Sequence, residues 1–79
     1  MMEKLSQEEL KAYLMASNEE YRNLAEKHAE YERMIEALEA KAHMTPEDED
    51  EEHRIKKLKL RIKDQMFEIM NRHRAESVV

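Results

Sequence analysis

Apolar residues recur along this chain at alternating steps of three and four, and the recurrence stops and restarts at a few polar clusters. Such steps return to one face of an α-helix, so the pattern predicts amphipathic helices and no strands. The clearest run is Tyr21, Leu24, His28, Tyr31, Ile35, Leu38 and Ala42, a heptad-like seam. Glutamates and basic residues between these positions, from Glu26 to Glu39, form a solvated outer face. A second run, Ile55, Leu58, Ile62, Met66 (or its neighbour Gln65) and Ile69, keeps the same period. It predicts a helix ending near His73, with Ala75 to Val79 fraying. A shorter run of Leu10, Tyr13 and Leu14, with Leu5 just ahead of it, precedes both.

The polar clusters read as helix ends. Ser6-Gln7-Glu8-Glu9 fits a capping box, in which Ser6 accepts from the Glu9 amide and Glu9 reaches back. Ser17-Asn18-Glu19-Glu20 repeats that spacing and predicts a break between a short and a long helix. The chain reverses around His43-Met44-Thr45-Pro46: Ala42 or His43 ends one helix, Thr45 caps the next, and Pro46 takes the first helical position, where no N–H is needed. The acidic run Glu47 to Glu52 then reads as the first turns of that helix, where carboxylates favour the positive end of the dipole, in preference to an acidic linker.

These limits predict one domain over residues 1–79: a short helix at about 7–16, a long one at about 18–43, a turn at about 43–46 and a second long helix at about 46–73. The fold class is all-α, an antiparallel, coiled-coil-like helical hairpin with a short N-terminal helix. Doubling back sets Leu38 and Ile35 near Ile55, Tyr31 near Leu58, and His28 near Ile62. Leu24 and Tyr21 then approach Met66 and Ile69. Apolar meets apolar throughout, and that consistency is the main argument for the hairpin.

Composition supports this reading. Charged residues make up 42% of the 79, there is no glycine and only one proline, and the net charge is −5. A sheet protein of this size would need turn residues at several reversals, whereas two long helices need one. Disorder is the competitor for so charged a chain, but the apolar residues are spaced rather than depleted. There is no cysteine, hence no disulfide and no thiolate chemistry. Neither a secretory signal at the N-terminus nor a run of about 20 apolar residues is present, so the expected location is the cytoplasm and no membrane partner is expected.

Candidate chemistry is sparse. Arg54, Lys56, Lys57, Lys59, Arg61 and Lys63 form a basic cluster that nucleic-acid phosphates would attract. The cations circle the helix, however, no aromatic side chain interleaves to stack on bases, and the facing helix offers glutamates for cross-helix pairs. Nucleic-acid association is therefore the alternative function. No two of His28, His43, His53 and His73 stand at the four-residue spacing that puts two metal ligands on one helical face, so no metal site is assigned. His28 reads as a packed seam histidine and a candidate pH-sensitive spot. Carboxylates are plentiful, but a two-helix hairpin has no concave pocket to shift one of them. Without glycine there is no phosphate loop either. No enzyme, cofactor or small-molecule substrate is expected.

A two-helix seam is thin, and a hairpin of this length alone would be marginal. Leu60 and Phe67 lie seven residues apart on one face of the last helix, away from the seam, and Met70 lies between the two faces. The short helix adds Leu10, Tyr13 and Leu14. Either the short helix covers the Leu60–Phe67 face or another chain does. Isolated exposed apolar residues are ordinary, but this pair interrupts an otherwise polar face. The expected role is thus a self-associating or protein-interaction module, with a second copy or a helical protein as partner.

Two stretches carry a resemblance. Tyr21-Arg22-Asn23-Leu24-Ala25-Glu26-Lys27-His28-Ala29-Glu30-Tyr31 is similar to the first-helix signature of the YdcH-like family, small bacterial proteins also called domain of unknown function 465. Leu58-Lys59-Leu60-Arg61-Ile62-Lys63-Asp64-Gln65-Met66-Phe67 resembles the second-helix signature, a lysine-leucine run followed by a Leu-Lys-Asp-Glu-Ile pattern. The pairs Lys27-His28 and Lys63-Asp64 match. Glu32 stands where the family has aspartate, Tyr31 where it has leucine, and Gln65 where it has glutamate. The resemblance extends over residues 10–72. It implies a helical hairpin and supplies no activity.

Overall fold

The computed structural model describes residues 6–77, with side chains for residues 6–74. Leu5, and Val78 and Val79 at the end of the segment expected to fray, lie outside the described residues. Three helices follow in order: α1, Gln7–Ser17; α2, Glu19–Glu39; and α3, Pro46–Ser77. Helices α2 and α3 lie along one another as the expected hairpin, and α1 folds back against them. The molecule is an elongated rod, 56 × 20 × 16 Å. Its radius of gyration is 16.2 Å, against about 12 Å for a compact chain of this length.

Each junction follows from local chemistry, though not always on the expected residue. At α1 the capping box forms as read: the Glu9 amide donates to the Ser6 hydroxyl at 3.2 Å, and the Ser6 amide donates to the Glu9 carboxylate at 3.2 Å. Hydrogen bonding from the Ser6 side chain, and then from its amide, holds the Glu9 carboxyl below its usual range. The second cap is Asn18, not Ser17 as the repeated spacing suggested. Its side-chain oxygen accepts from the Tyr21 amide at 2.8 Å. Ser17 ends α1 and donates back to the Tyr13 carbonyl at 2.7 Å. Asn18 is extended, with φ −119° and ψ 108°, and that one residue turns α1 away from the axis of α2.

The first long helix stops at Glu39, earlier than the expected limit near residue 43, and Ala42 leaves the seam for an exposed bend. The cause is the next helix's cap. Thr45 and Asp48 bond reciprocally, each amide to the other's side chain at 3.1 Å, while the Lys41 ammonium reaches Asp48 at 2.9 Å. Lys41 meets Asp48 only after the chain has left the helix. With no glycine available for a left-handed C-cap, α2 closes on a tight bond from the Lys41 amide to the Leu38 carbonyl, 3.2 Å. The acidic run forms the opening turns of α3. At the far end α3 continues to Ser77, past the expected stop near His73.

The turn carries a prediction. Hydrogen bonding from Lys41 and then from the Thr45 amide holds the Asp48 carboxyl below its usual range. A carboxylate whose pKa is depressed by folding stabilises the fold above its unfolded value, about 4, and loses that contribution as pH falls through the folded value. Thr45→Ala is expected to lower stability by about 1 kcal/mol at neutral pH. Asp48→Asn should flatten part of the acid limb. Urea titrations at several pH values check both, and unchanged midpoints would show that the cap contributes nothing.

Burial is concentrated at two places. Ile35 and Ile55, 4% and 2% exposed, anchor the half of the hairpin nearer the turn. At the open end Leu10 and Leu14 of α1, Tyr21 of α2, and Ile69 and Met70 of α3 form one cluster, with Leu24 and Met66 packed against it. Between these anchors His28, Tyr31, Leu58 and Ile62 are half-buried, as is Leu38 on the turn side of Ile35, which a seam of only two helices allows. Gln65 is exposed and Met66 half-buried, so Met66 occupies the seam position.

Candidate functional site

Helix α1 does not cover the Leu60–Phe67 face. It packs on the flank of the seam, at Ile69 and Met70, where Leu10 and Leu14 are buried to 1% and 2% exposure. Three of the six residues expected on an interaction surface, Leu10, Leu14 and Met70, are therefore core. The reason is continuity: Met70 adjoins Ile69 and sits one helical turn beyond Met66, so it extends the seam. The one-residue hinge at the extended Asn18 delivers α1 to that side. Tyr13 is half-exposed, its ring 5.0 Å from that of His73 and tilted by 40°. The Arg22 guanidinium donates to the Met15 carbonyl at 3.0 Å, a second tie between α1 and the hairpin.

Leu60 and Phe67 stay open to solvent, 60% and 47% exposed. Seven residues place them two turns apart on one line along α3. Met15 and Met34 are the other exposed large apolar residues that the sequence reading passed over. Met34 precedes the anchor Ile35 and borders a shallow crevice of about 240 Å³ with Ala37, Leu38, Lys41, Glu51 and Ile55. Its place one residue before a seam position was the signal that it would sit on the rim.

The basic cluster is partly neutralised within the chain. Lys59 pairs with Glu32 across the hairpin, and Lys56 lies 3.3 Å from Glu52 and 3.8 Å from Glu39. Arg54 pairs with Glu51 on its own helix at 3.0 Å. The Lys59 hydrogen bond holds the Glu32 carboxyl below its usual range against the opposing effect of desolvation, with lesser help from the charges of Lys59 and His28. Lys57, Arg61 and Lys63 are exposed and have no ion pair among the described residues.

The histidines separate. His28 and His73 are half-buried, and His43 and His53 are exposed. Among the described residues no three histidine or acidic side chains come together as a group able to hold a metal ion. No described helix is long and apolar enough to cross a membrane.

A family model described as protein of unknown function, DUF465, matches residues 22–70. The match takes in most of α2, the turn and α3 as far as Met70, and it leaves α1 outside, so it is shorter than the stretch over which the resemblance was read. No curated protein and no solved structure matches the chain.

Proposed function

We propose, from the premise that this chain belongs to the DUF465 family of proteins of unknown function, that it is a non-enzymatic helix-packing module that self-associates through the Leu60–Phe67 line. The observation that carries the reading is the exposure of these two side chains after α1 has docked elsewhere. Leucine and phenylalanine in line on a polar helix face are the anchors that a packing helix uses. The shallow crevice beside the turn, lined by one lysine and one glutamate among apolar residues, favours packing over catalysis. A cytoplasmic setting, expected from the sequence, belongs to the same proposal.

Light scattering or sedimentation over a concentration series tests it. The mass should rise above the 9.6 kDa of one chain at high micromolar concentration. It should return to that value when Leu60 and Phe67 are both changed to serine, with circular dichroism unaltered. A single chain at every concentration overturns the reading, as does association that survives both substitutions. Nucleic-acid association through Lys57, Arg61 and Lys63 is the second reading, favoured only by their lack of ion pairs among the described residues. It predicts retention on nucleic acid that falls steeply with added salt.

A further inference from the structure

The two flanks of the Leu60–Phe67 line differ, and the difference says what fits it. Along one flank run Lys57, Arg61, Asp64 and Glu68, at steps of four, three and four. All four are exposed and have no ion pair among the described residues. The two cations bracket Leu60 and the two anions bracket Phe67. On the opposite flank Lys56 is occupied by Glu52 and Glu39, and Lys63 is exposed.

Resting on the reading that this line is a self-association surface, we propose that a second copy of the chain docks on α3 antiparallel. A two-fold axis passes between Leu60 and Phe67, and Leu60 of each copy packs on Phe67 of the other. Lys57 and Arg61 of each copy then oppose Asp64 and Glu68 of the other. The argument is one of symmetry. A two-fold that reverses the helix leaves each flank facing its own counterpart read backwards. A flank ordered plus, plus, minus, minus then meets minus, minus, plus, plus. A parallel two-fold in register instead sets this flank against the opposite one, which carries Lys56 and Lys63, so Lys57 and Arg61 gain no anion opposite them, and it sets leucine on leucine.

The same flank disfavours other occupants. An anionic lipid surface or a nucleic-acid backbone would attract Lys57 and Arg61 but meet Asp64 and Glu68 on the same line. A uniformly acidic helix has the same conflict. Only a partner with the reversed charge order satisfies all four, and the chain itself is one. Lys63 faces its own copy near the axis, a single repulsive contact that two long stems relieve by turning their ammonium groups into solvent. Two partly exposed apolar side chains per copy make a small interface. The pair is weak, and charge order sets its orientation.

The absence of cysteine makes the test clean, because one cysteine introduced at the exposed His53 accepts one spin label. In the antiparallel pair position 53 lies opposite position 74, which separates the two labels by about 30 Å along the axis at 1.5 Å per residue. A parallel pair in register brings them to roughly the interaxial spacing, about 10 Å. In parallel, a Lys57→Glu/Arg61→Glu variant and an Asp64→Lys/Glu68→Lys variant should each associate about ten-fold more weakly than the parent, and an equimolar mixture should pair again. Lys63→Gln should tighten the pair. The long label distance together with rescue in the mixture is the expected result. A short distance in a pair that still needs Leu60 and Phe67 overturns the antiparallel arrangement and leaves self-association standing. Charge variants that pair as the parent does overturn the assignment of the flank. Binding to anionic vesicles or duplex DNA with no pairing at all overturns both.

Discussion

Tyr21→Ala is expected to remove about 3 kcal/mol of folding stability, the cost of deleting a large enclosed aromatic side chain. Tyr21 is 2% exposed and is the residue on which all three helices converge, touching the cluster of Leu10 and Leu14 from α1 and Ile69 and Met70 from α3. The cavity left by alanine would open at the end of the rod, where no further layer can collapse into it. A domain this small holds only a narrow margin of stability, so the loss is a large share of the whole. Urea unfolding followed by circular dichroism measures it, with Tyr21→Phe as the volume-conserving control that should stay within about 1 kcal/mol. Burial also pushes the Tyr21 phenol above its ordinary value. The neutral ring's contribution is therefore complete below about pH 10 and is lost as pH rises beyond it, when the unfolded chain ionises first. A loss below about 1 kcal/mol in the alanine variant would mean that the three helices do not depend on one another at this point.

The anchors of the hairpin were legible because each repeats on a helical period and each faces a partner of the same kind. Tyr21, Ile35, Ile55 and Ile69 are all buried, on both sides of Pro46. The side on which α1 docks was not legible. Periodicity places Leu10 and Leu14 on one face of α1 but says nothing about the direction in which a single extended residue, Asn18, sends that helix. The end of α2 was hidden for a similar reason. Ala42 keeps the seam spacing, yet the Thr45–Asp48 cap and its tie to Lys41 pull the chain out of the helix before it. Side-chain caps decide between competing local structures through bonds that a hydrophobic pattern does not contain. The contact face was half legible. Leu60 and Phe67 stood out as apolar on a polar face, whereas Met70, grouped with them, belongs to the seam it adjoins. The cross-helix use of Lys56 and Lys59 was anticipated from the glutamates opposite, and it divides the basic cluster into an occupied and an open half.

Changing Leu10 and Leu14 together to alanine is expected to release α1 while leaving the hairpin folded, at a combined cost of about 4 kcal/mol to the docked state. These two leucines supply the burial on α1, and the remaining ties are the Arg22 bond to the Met15 carbonyl and the Tyr13–His73 ring contact, both near the surface. An isolated helix of 11 residues is marginal in water, so α1 should melt once it no longer docks. Hydrogen exchange reads this directly: amides from Gln7 to Ser17 should lose protection, and those around Ile35 and Ile55 should keep it, because their burial is distant from the cluster at the open end. The matched family segment, residues 22–70, begins after α1, which fits a hairpin able to stand without it. Release would also uncover Tyr21, Ile69 and Met70 and create a second apolar site beside the end of the rod. Association of this variant should therefore persist when Leu60 and Phe67 are changed to serine, unlike that of the parent. If instead protection falls together along α1, α2 and α3, the hairpin has no independent stability. The short helix would then be a necessary third of a single cooperative fold rather than a cover laid on one end of it.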